Sequence, residues 1–449
     1  MSTAIVVKRQ PVDTGRSGWE AICPRRGLVR ELDADLRADW LIVGAGFAGL
    51  SAARRLTQLR PGDKVVVLEA RELAQGPAGR NSGFMIDVPH NLSSGEYSTA
   101  GEDATAREIA ENRFAIAYAA EAAAEYGLGR HAFDPCGKIN AAATARGLAM
   151  NERYAASLQR IGEPSRLLDA QEMKAITGSS YYLGGLHTPG AVLIQPAEYI
   201  RALGEGLARQ VDLRENSPVQ RLERQGSTWT ARTPRGSVSA PRVILAVNGH
   251  IQDFGHFGGR LMHVFTYASM TAGFVAGAYG QGVSGADRWA LLPADPMGAT
   301  IRKITQQGRS RIVVRTRFTY DPSMQVTPAR VAGIAAAQRK SFVARFPELA
   351  EVPMEHSWAG RLCLSRNSVP AFGEIDQGLY SACCENGLGT VKSTLAGVMA
   401  VDLATGTASD QLKTFGSQAP PARIPPEPFA WLGINSVIRW QEWRAGRES

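Results

Sequence analysis

Three glycines near the start of the chain have the spacing of a phosphate-binding turn. In the stretch WLIVGAGFAGL, Gly44, Gly46 and Gly49 follow a short apolar run and open a helical pattern. The first glycine permits a tight turn, the second lets the backbone approach a pyrophosphate, and the third lets the helix pack closely on the strand. The positive end of that helix can meet phosphate charge. The spacing therefore predicts a dinucleotide-binding site.

The elements that must position these glycines are two buried strands with a helix between them. Residues 41–43 and 65–68 are apolar and rich in branched side chains, residues 51–59 continue the helix, and a Pro-Gly-Asp break separates helix and second strand. Glu69 ends the second strand, roughly twenty residues after the glycines, where a carboxylate can accept hydrogen bonds from ribose hydroxyls. This complete unit predicts a parallel, Rossmann-type arrangement.

The overall composition is that of an ordinary globular protein. The chain has 449 residues, of which 44% are hydrophobic, and a formal net charge of +8. This mild positive excess suits anionic cofactors or substrates, and nucleic acid is not expected as a partner. The five cysteines form neither a C-x-x-C pair nor a Cys/His ligand spacing. We therefore predict no metal site, no disulfide framework, a cytoplasmic location, and neither a signal peptide nor a spanning segment.

Other local patterns divide the rest of the chain. The glycine-rich stretch 74–84 is expected to be a functional loop, because it lies close to the nucleotide site. A long helix is predicted from Asp103 to Tyr126, and Asp169 with Glu172 forms a capping box that opens a short helix. Pro196 suits the first position of another helix. Residues 1–39 lack a clear period and are expected to form an irregular arm over the domain.

A period of two indicates strands in the middle of the chain. It appears between residues 211 and 247, after Arg260, and from Ile301 to Phe318, which favours a separate mixed sheet. The last third of the chain repeats the strand, glycine turn and helix order of the nucleotide-binding unit, with a strand at 379–382, a glycine turn, and a helix at 393–403. That turn presents a second positive helix end to phosphate or flavin.

With these motifs in view, the chain resembles the D-amino-acid oxidase superfamily of FAD-dependent oxidoreductases, which includes glycine oxidase, sarcosine oxidase and γ-glutamylputrescine oxidoreductase. The resemblance rests on GAGFAGL with Glu69, on GRNSGF at 79–84, on LAVNGH at 245–250 and on ENGLGT at 385–390. It covers about residues 39–406. The GRNSGF loop and VFTYASMT at 264–271 look most like the γ-glutamylputrescine oxidoreductase-type group.

The resemblance implies an α/β fold, with a Rossmann-type FAD-binding domain and an interleaved α+β substrate domain built on a mixed/antiparallel sheet. The expected division of the chain is an N-terminal arm (1–38), the first part of the FAD-binding domain (39–100), a mainly helical part (101–195), the second part of the FAD-binding domain (196–250), the substrate-domain sheet (251–358), the last part of the FAD-binding domain (359–410), and a proline-rich connection with a C-terminal tail (411–449).

The resemblance also implies the residues that hold FAD. They are Gly44, Ala45, Gly46, Phe47, Ala48, Gly49, Glu69, Ala70, Arg71, Arg80, Asn81, Ser82, Val219, Ala246, Asn248, Gly249, Gly360, Arg361, Gly387, Leu388, Gly389 and Thr390. Some relatives tether the flavin through a cysteine. Here the comparable position is Arg361, and Cys363 lies two residues further on, so non-covalent FAD is expected.

The chemistry expected from the resemblance is oxidation of the C–N bond of a small primary or secondary amine, which can carry an acidic group. Hydride transfer to flavin N5 gives an imine, which water hydrolyses to a carbonyl compound. No hydrolase triad, zinc motif or paired-carboxylate motif stands against this. The residues considered for the substrate side are Tyr267, Arg302, Arg361 and His90. The two arginines are candidates to bind an anionic group, because the guanidinium fork suits carboxylates.

Structural roles compete with several of these functions. Tyr267 can simply pack within a strand, and His250 and His263 are interpreted as structural residues. Arg311, Arg315 and Arg317 fall on one face of a strand, which predicts a solvated basic face. The tail with Trp440 and Trp443 can pack on the body or touch a membrane surface or quinone partner, and Glu442 and Glu448, which dilute its charge, favour packing.

Two other functions remain open from the sequence. An amino-acid oxidase or dehydrogenase of the same fold would act beside a carboxylate, and a tRNA-modifying or binding flavoprotein would not oxidise free amines. Reduction of bound flavin by a panel of amines distinguishes these functions. Either oxygen or a quinone can serve as the electron acceptor, and a homo-oligomer is possible.

Overall fold

The glycine stretch folds as strand, tight turn and helix in the computed structural model. The structure describes residues 3–27, 29–89, 102–280, 282–416 and 418–449. In chain order the strands are β1 (Thr3–Val6), β2 (Leu36–Arg37), β3 (Trp40–Val43), β4 (Val65–Leu68), β5 (Phe84–Met85), β6 (Phe133–Asp134), β7 (Lys138–Ala142), β8 (Arg166–Asp169), β9 (Gly184–Thr188), β10 (Val192–Ile194), β11 (Asp212–Arg214), β12 (Arg221–Gln225), β13 (Thr228–Arg232), β14 (Ser237–Ala240), β15 (Arg242–Leu245), β16 (Leu261–Thr271), β17 (Trp289–Pro293), β18 (Thr300–Gln306), β19 (Arg309–Tyr320), β20 (Met354–Ser365), β21 (Ala371–Asp376) and β22 (Leu379–Cys383).

The helices include those predicted from caps and periodicity. They are α1 (Gly18–Ala21), α2 (Phe47–Leu59), α3 (Glu102–Glu125), α4 (Ala145–Arg160), α5 (Ala170–Thr177), α6 (Pro196–Leu207), α7 (Pro328–Arg345), α8 (Gly389–Thr405), α9 (Asp410–Gly416) and α10 (Phe429–Ala445). The capping box predicted at Asp169 and Glu172 is confirmed, with both hydrogen bonds present at the start of α5. Pro196 begins α6, as predicted. Among the described residues, no helix is long and apolar enough to cross a membrane.

A six-stranded sheet carries the glycine turn. Its order is β11-β4-β3-β15-β22-β21, and the first five strands run parallel while β21 is antiparallel to β22. Strands β3 and β4 are buried along their whole length, as expected for a parallel sheet that is covered on both faces. Helices α2 and α8 pack closely, since a Cβ on Gly397 would lie 2.1 Å from the carbonyl oxygen of Ala48. The predicted Rossmann-type α/β fold is confirmed.

An eight-stranded mixed sheet faces this domain. Its order is β20-β16-β19-β18-β17-β7-β9-β8, and β7 runs parallel to β17. The sequence predicted that residues 101–195 would be mainly helical, but this part of the chain also contributes β7, β8 and β9 to the large sheet. All five residues of β7 are buried, and because Lys138 and Asn140 are among them, the strand lacks the continuous apolar run that indicates a buried strand in a sequence.

The N-terminal arm is more ordered than the sequence predicted. β1 pairs with β12 and β2 pairs with β14, so the arm supplies both edges of a five-stranded sheet. Ser17 caps the short helix α1 by accepting a hydrogen bond from the Glu20 backbone. Trp19, on that helix, is fully buried and packs edge-on against Trp358. Its indole nitrogen donates to the carbonyl oxygen of Asn81 over 2.8 Å.

The tail forms a further helix that the sequence analysis did not predict. α10 lies against β19, where Asn435 exchanges hydrogen bonds with the backbone of Tyr320. Glu442 accepts from the Phe318 backbone nitrogen and from Arg317, both over 2.8 Å. The tail therefore packs on the body through one face, as the sequence favoured.

The arm gives a test of the fold. Replacing Trp19 by Ala should lower the free energy of unfolding by about 3–5 kcal/mol, because a fully buried indole and its hydrogen bond are lost. Urea denaturation monitored by circular dichroism measures the change. Trp443→Ala is the matched control, since that side chain is 78% exposed, and its effect should stay within about 0.5 kcal/mol. Equal effects of the two substitutions would contradict the placement of the arm.

Candidate cofactor and substrate site

One cavity collects most of the residues that the sequence assigned to the cofactor. It lies at the carboxyl ends of β3, β4, β15 and β22 and extends to the eight-stranded sheet, with a volume of about 470 Å³. In a parallel α/β sheet, ligands bind outside the carboxyl ends of the strands. The predicted cofactor residues that line it are Gly44, Ala45, Gly46, Phe47, Ala48, Glu69, Ala70, Arg71, Asn81, Ser82, Val219, Ala246, Asn248, Gly249, Gly360, Arg361, Gly387, Leu388, Gly389 and Thr390.

The first glycine turn brings the start of α2 to the cavity. Gly44 has a φ of 101°, and a Cβ there would lie 2.5 Å from the carbonyl oxygen of Ala246. A Cβ on Gly49 would lie 1.8 Å from the carbonyl oxygen of Gly44, so this glycine serves packing and does not line the cavity. Gly46 precedes α2, and no side chain caps the helix there. The first backbone N–H groups of α2 are thus available to an anion.

Glu69 is fixed at the same end of the cavity. Its carboxylate accepts hydrogen bonds from the backbone nitrogens of Ala45, over 2.8 Å, and Arg71, over 3.1 Å. Burial raises the pKa of Glu69, and the two backbone donors oppose that shift. The carboxylate therefore joins the end of β4 to the glycine turn.

A second helix begins at the opposite wall. α8 starts at Gly389 without a side-chain cap, and the Thr390 hydroxyl donates to the carbonyl oxygen of Phe84 over 2.5 Å. Its start lies beside Asn81 and Ser82 of the glycine-rich loop, among the cavity-lining residues. Two helix N-termini therefore face one cavity, as the two glycine turns predicted.

Arg80 does not line the cavity, contrary to the prediction. Its guanidinium donates to backbone carbonyl oxygens of Gln75 (2.8 Å), Thr14 and Ala359 (both 3.3 Å), and also to that of Gly15. A short 3₁₀ turn at Pro77–Gly79 directs the side chain towards the N-terminal arm. Burial lowers the pKa of Arg80. Its observed role is to fasten the loop to the arm.

Arg302 is also placed away from the cavity. It is buried, donates to the carbonyl oxygens of Ile194 (2.6 Å) and Ser82 (3.2 Å), and lies 5.0 Å above the ring of Trp19. Burial lowers its pKa to about 10. The carbonyl oxygens behind the glycine-rich loop therefore occupy the guanidinium that the sequence assigned to a substrate anion.

Tyr267 points to the far side of its strand. Its hydroxyl lies 2.7 Å from the Thr319 hydroxyl, and the ring packs beside Val331 of α7. The preceding residue, Thr266, lines the cavity, and successive side chains of a strand face opposite ways. Tyr267 is therefore not among the residues that line the cavity, and its position matches the packing role that the sequence left open. His90, the remaining candidate, lies outside the described residues.

Two arginines from the large sheet do line the cavity. Arg361 is buried and donates through Nη1 to the carbonyl oxygen of Met324 over 2.9 Å. Arg315 lies 5.0 Å over the ring of Phe318, and its Nη1 is buried without a partner among the described residues. Burial lowers the pKa of Arg315 to about 10. This strand position thus places a guanidinium with unsatisfied donors in the cavity wall.

The sequence predicted that Arg315 would share a solvated face with Arg311 and Arg317. The structure separates the three side chains. Arg311 and Arg315 still share one face of β19, because the pairing between them is regular, and Arg315 lies further along the strand, at the cavity. A register shift in the β16–β19 pairing and a φ of 64° at Arg317 break the alternation only beyond Thr316, and this turns Arg317 away from Arg315. Arg311 and Arg317 bind Glu355 and Glu442 at the partly exposed margins, whereas Arg315 faces the other domain.

Two ionisable residues of the cavity were not among the predicted site residues. His250 contacts Asp253 through Nδ1 over 3.2 Å, and its Nε2 is buried without a partner in the described chain. Glu385 accepts from the Cys363 backbone over 2.8 Å, and its Oε2 is likewise unpartnered. Burial lowers the pKa of His250 and raises that of Glu385 to about 7. The position of Glu385 just before the second glycine turn was the available signal.

Comparisons with known proteins agree with this arrangement. A family model described as "FAD dependent oxidoreductase" matches residues 39–403. The chain is 24% identical over 418 residues to a probable oxidoreductase, OrdL, of Rhizobium meliloti, which covers 90% of this chain and 91% of the relative. It is 26% identical over 391 residues to γ-glutamylputrescine oxidoreductase of Escherichia coli, covering 84% and 86%. Glycine oxidase of Geobacillus kaustophilus shares the fold, with a TM-score of 0.69 at 20% identity, covering 87% and 100%.

The glycine turn gives a test of the cofactor end. A Cβ on Gly46 would meet only the Cβ of Ala78, at 3.5 Å, so Gly46→Val is compatible with the fold and narrows the cavity at the start of α2. We expect its affinity for FAD to fall about tenfold or more, because the backbone can no longer approach a pyrophosphate. Quenching of flavin fluorescence on titration measures the affinity.

Gly62→Val is the matched control, because nothing lies within 4 Å of a Cβ at that position and it is distant from the cavity. The control should bind FAD as the unsubstituted chain does. If Gly46→Val and Gly62→Val bind FAD with equal affinity, the prediction that FAD binds at the start of α2 is contradicted.

The raised pKa of Glu385 gives a pH-dependent test. The folded chain keeps the proton up to about pH 7, whereas the unfolded chain releases it near the ordinary value of 4.5, so stability should fall as the pH rises through this window and then level off. Glu385→Gln removes this titration. Relative to the unsubstituted apoprotein, it should gain about 1–3 kcal/mol of stability between about pH 4 and about pH 8. Denaturant unfolding at about pH 4 and about pH 8 measures the stability of both proteins. If the stability of the variant relative to the unsubstituted apoprotein is the same at both pH values, the prediction is contradicted.

Proposed function

The chain belongs to the family of FAD-dependent oxidoreductases, and from this premise we propose that it oxidises the C–N bond of a small primary or secondary amine that carries an anionic group. The observation that carries the second half of this proposal is Arg315, which lines the cavity and whose buried Nη1 has no hydrogen-bond partner in the part of the chain that the structure describes. A buried cation without a counter-ion is costly, and an anionic substrate group would supply one.

The residues of the cavity fit FAD. The ADP half would lie at the start of α2, where Gly44 and Gly46 allow close approach and Glu69 accepts from ribose hydroxyls. The flavin end would lie between the glycine-rich loop and the start of α8, whose free N–H groups suit an electron-rich ring edge. Cys363 is buried and does not line the cavity, which supports non-covalent binding.

FAD, when bound, supplies the hydride acceptor for amine oxidation. The task of the chain is to hold the amine and its α C–H against the cofactor. Apolar side chains on the large-sheet side of the cavity, among them Phe318, Leu362 and Leu364, exclude water there. The imine that leaves the site is hydrolysed to a carbonyl compound, and oxygen or a quinone takes the electrons in a second half-reaction.

Arg315 and Arg361 give the substrate its orientation. Arg361 keeps one nitrogen on the carbonyl oxygen of Met324, which fixes the plane of its guanidinium, and Arg315 is fixed by stacking over Phe318. Both guanidinium groups line the cavity, and a guanidinium can bind a carboxylate through charge-assisted hydrogen bonds. The amine end is thereby directed away from the arginines. The E. coli relative, named for its action on γ-glutamylputrescine, supports an amine substrate.

The amine must lose its proton before the C–H bond breaks. Glu385 and His250 are the lining groups suited to take it, since burial raises the pKa of Glu385 to about 7 and lowers the pKa of His250. The unpartnered Oε2 of Glu385 and Nε2 of His250 are the accepting atoms. A base with a pKa near the working pH serves this purpose best.

An anaerobic amine panel tests the proposed function. Loss of flavin absorbance should be fast with amines that carry a carboxylate remote from the nitrogen and slow with neutral amines of the same length. Faster reduction by α-amino acids would favour the amino-acid oxidase of the same fold. If no member of the panel reduces the flavin, amine oxidation is excluded.

Substitution of Arg315 tests the anion site with the same readout. Arg315→Ala should lower kcat/KM for the anionic amine by about 30-fold or more, because truncation of a buried charge partner costs about 2–5 kcal/mol. It should leave kcat/KM for the neutral analogue within a factor of about three. Arg315→Lys should recover part of the loss through charge alone.

Arg311→Ala is the control for general effects on β19, since Arg311 lies on the same strand and binds Glu355 outside the cavity. It should behave as the unsubstituted enzyme with both substrates. A loss of the same size with neutral and anionic amines in Arg315→Ala would show that Arg315 serves structure alone.

A further inference from the structure

The outer face of α10 is apolar and aromatic, although it lies in water. Phe429, Leu432, Trp440 and Trp443 follow one another at helical spacing along this face, and Leu432 and Trp443 are 54% and 78% exposed. Trp431 and Val437 flank them and are also exposed. Exposed large hydrophobic side chains are otherwise scattered over the described chain, and α10 concentrates six of them.

The opposite face holds the helix firmly in this orientation. Ala430 is buried with Val264 and Tyr320, and Ile434 and Ile438 pack against the same cluster. Asn435 and Glu442 make hydrogen bonds to the backbone of β19. Because these contacts fix the rotation of the helix, the tryptophans cannot turn inwards.

The surface of α10 carries less negative charge than the sequence of the tail indicates. Glu442 is the only acidic residue of α10, and its buried carboxylate binds both Arg317, over 2.8 Å, and Arg439 of the same helix, over 3.0 Å, so two arginines share one negative charge. Glu448, which follows the helix, is buried as well and accepts from the Ala143 backbone and the Thr144 hydroxyl. The acidic residues that dilute the tail in the sequence are therefore turned inwards.

The charges left at the surface of α10 are positive. Arg439 and Arg444 are exposed on either side of the aromatic face, and Arg444 lies 4.6 Å from the ring of Trp440. Arg439 also lines a groove of about 440 Å³ beside the helix, together with Arg330, Trp431 and Leu432. Aromatic rings with arginines at the edges are typical of helices that lie in the interface of a membrane.

We propose that α10 binds the surface of a bilayer that contains anionic phospholipids, with its axis parallel to the membrane. Trp440 and Trp443 would enter the headgroup region, and Arg439 and Arg444 would contact lipid phosphates. Charge favours this partner over a second copy of the chain. A two-fold interface would bring the arginines of one copy against those of the other, whereas an anionic surface complements them.

The proposal is tested with the full-length holoenzyme and sedimented vesicles of phosphatidylcholine, with and without phosphatidylglycerol. We expect binding to the anionic vesicles, weaker binding to neutral ones, and loss of the difference at high salt. The double substitution Trp440→Ser and Trp443→Ser should lower the partition coefficient about tenfold or more, and Arg444→Gln about fivefold. All variants should keep FAD and amine oxidation, because these residues lie outside the cavity.

The matched control is the double substitution Val6→Ser and Leu167→Ser, which removes two exposed hydrophobic side chains elsewhere and should leave vesicle binding unchanged. Equal loss of binding in this control, or no binding of the unsubstituted enzyme to anionic vesicles, would overturn the proposal. The proposal would also be overturned if light scattering shows that the enzyme is a dimer in the absence of lipid and that the tryptophan substitutions dissociate this dimer. The test is independent of the substrate, so its failure would leave the proposed function standing.

Discussion

The site depends on how closely α2 approaches the backbone around it. Only a hydrogen atom fits at Gly49, where a side chain would overlap the carbonyl oxygen of Gly44, and the same holds where Gly397 of α8 crosses Ala48. Because these positions have no side chains, the backbones of α2, the glycine turn and α8 can come into direct contact. As a result, α2 and α8 both begin at the cavity, and their uncapped N-termini give it a positive character without any ionised side chain.

The irregular wall of the cavity is held by buried arginines. Arg80 and Arg302 each donate to several backbone carbonyl oxygens from behind the glycine-rich loop. Trp19 packs against both Arg302 and Trp358 of the large sheet. A loop without regular structure leaves such oxygens unpaired, and a guanidinium can satisfy several at once. This explains why two arginines that look functional in the sequence serve structure. Arg315, in contrast, has an Nη1 without a hydrogen-bond partner among the described residues and keeps its capacity to bind.

Features set by neighbouring residues could be predicted from the sequence. The turn at Gly44, the capping box at Asp169 and the start of α6 at Pro196 each depend on a few consecutive residues. Features set by distant partners could not. Arg315 enters the cavity wall because the face of β19 that it shares with Val313 packs against the six-stranded sheet, and the burial of Glu442 depends on Arg317. Pairing of β1 with β12 joins residues more than two hundred positions apart, which no local pattern encodes.

The same long-range pairing governs how this chain can reach its native state. β3, near the start, has β15 as a neighbour, and β15 in turn needs β22, so the central sheet is incomplete until residue 383 has been synthesised. The large sheet likewise joins β7 to β17 across about 150 residues. Contacts of such sequence separation form slowly and leave hydrophobic strands uncovered in the meantime. During most of its translation the nascent chain therefore lacks a complete central sheet, and its hydrophobic strands stay open to aggregation until the C-terminal strands are made.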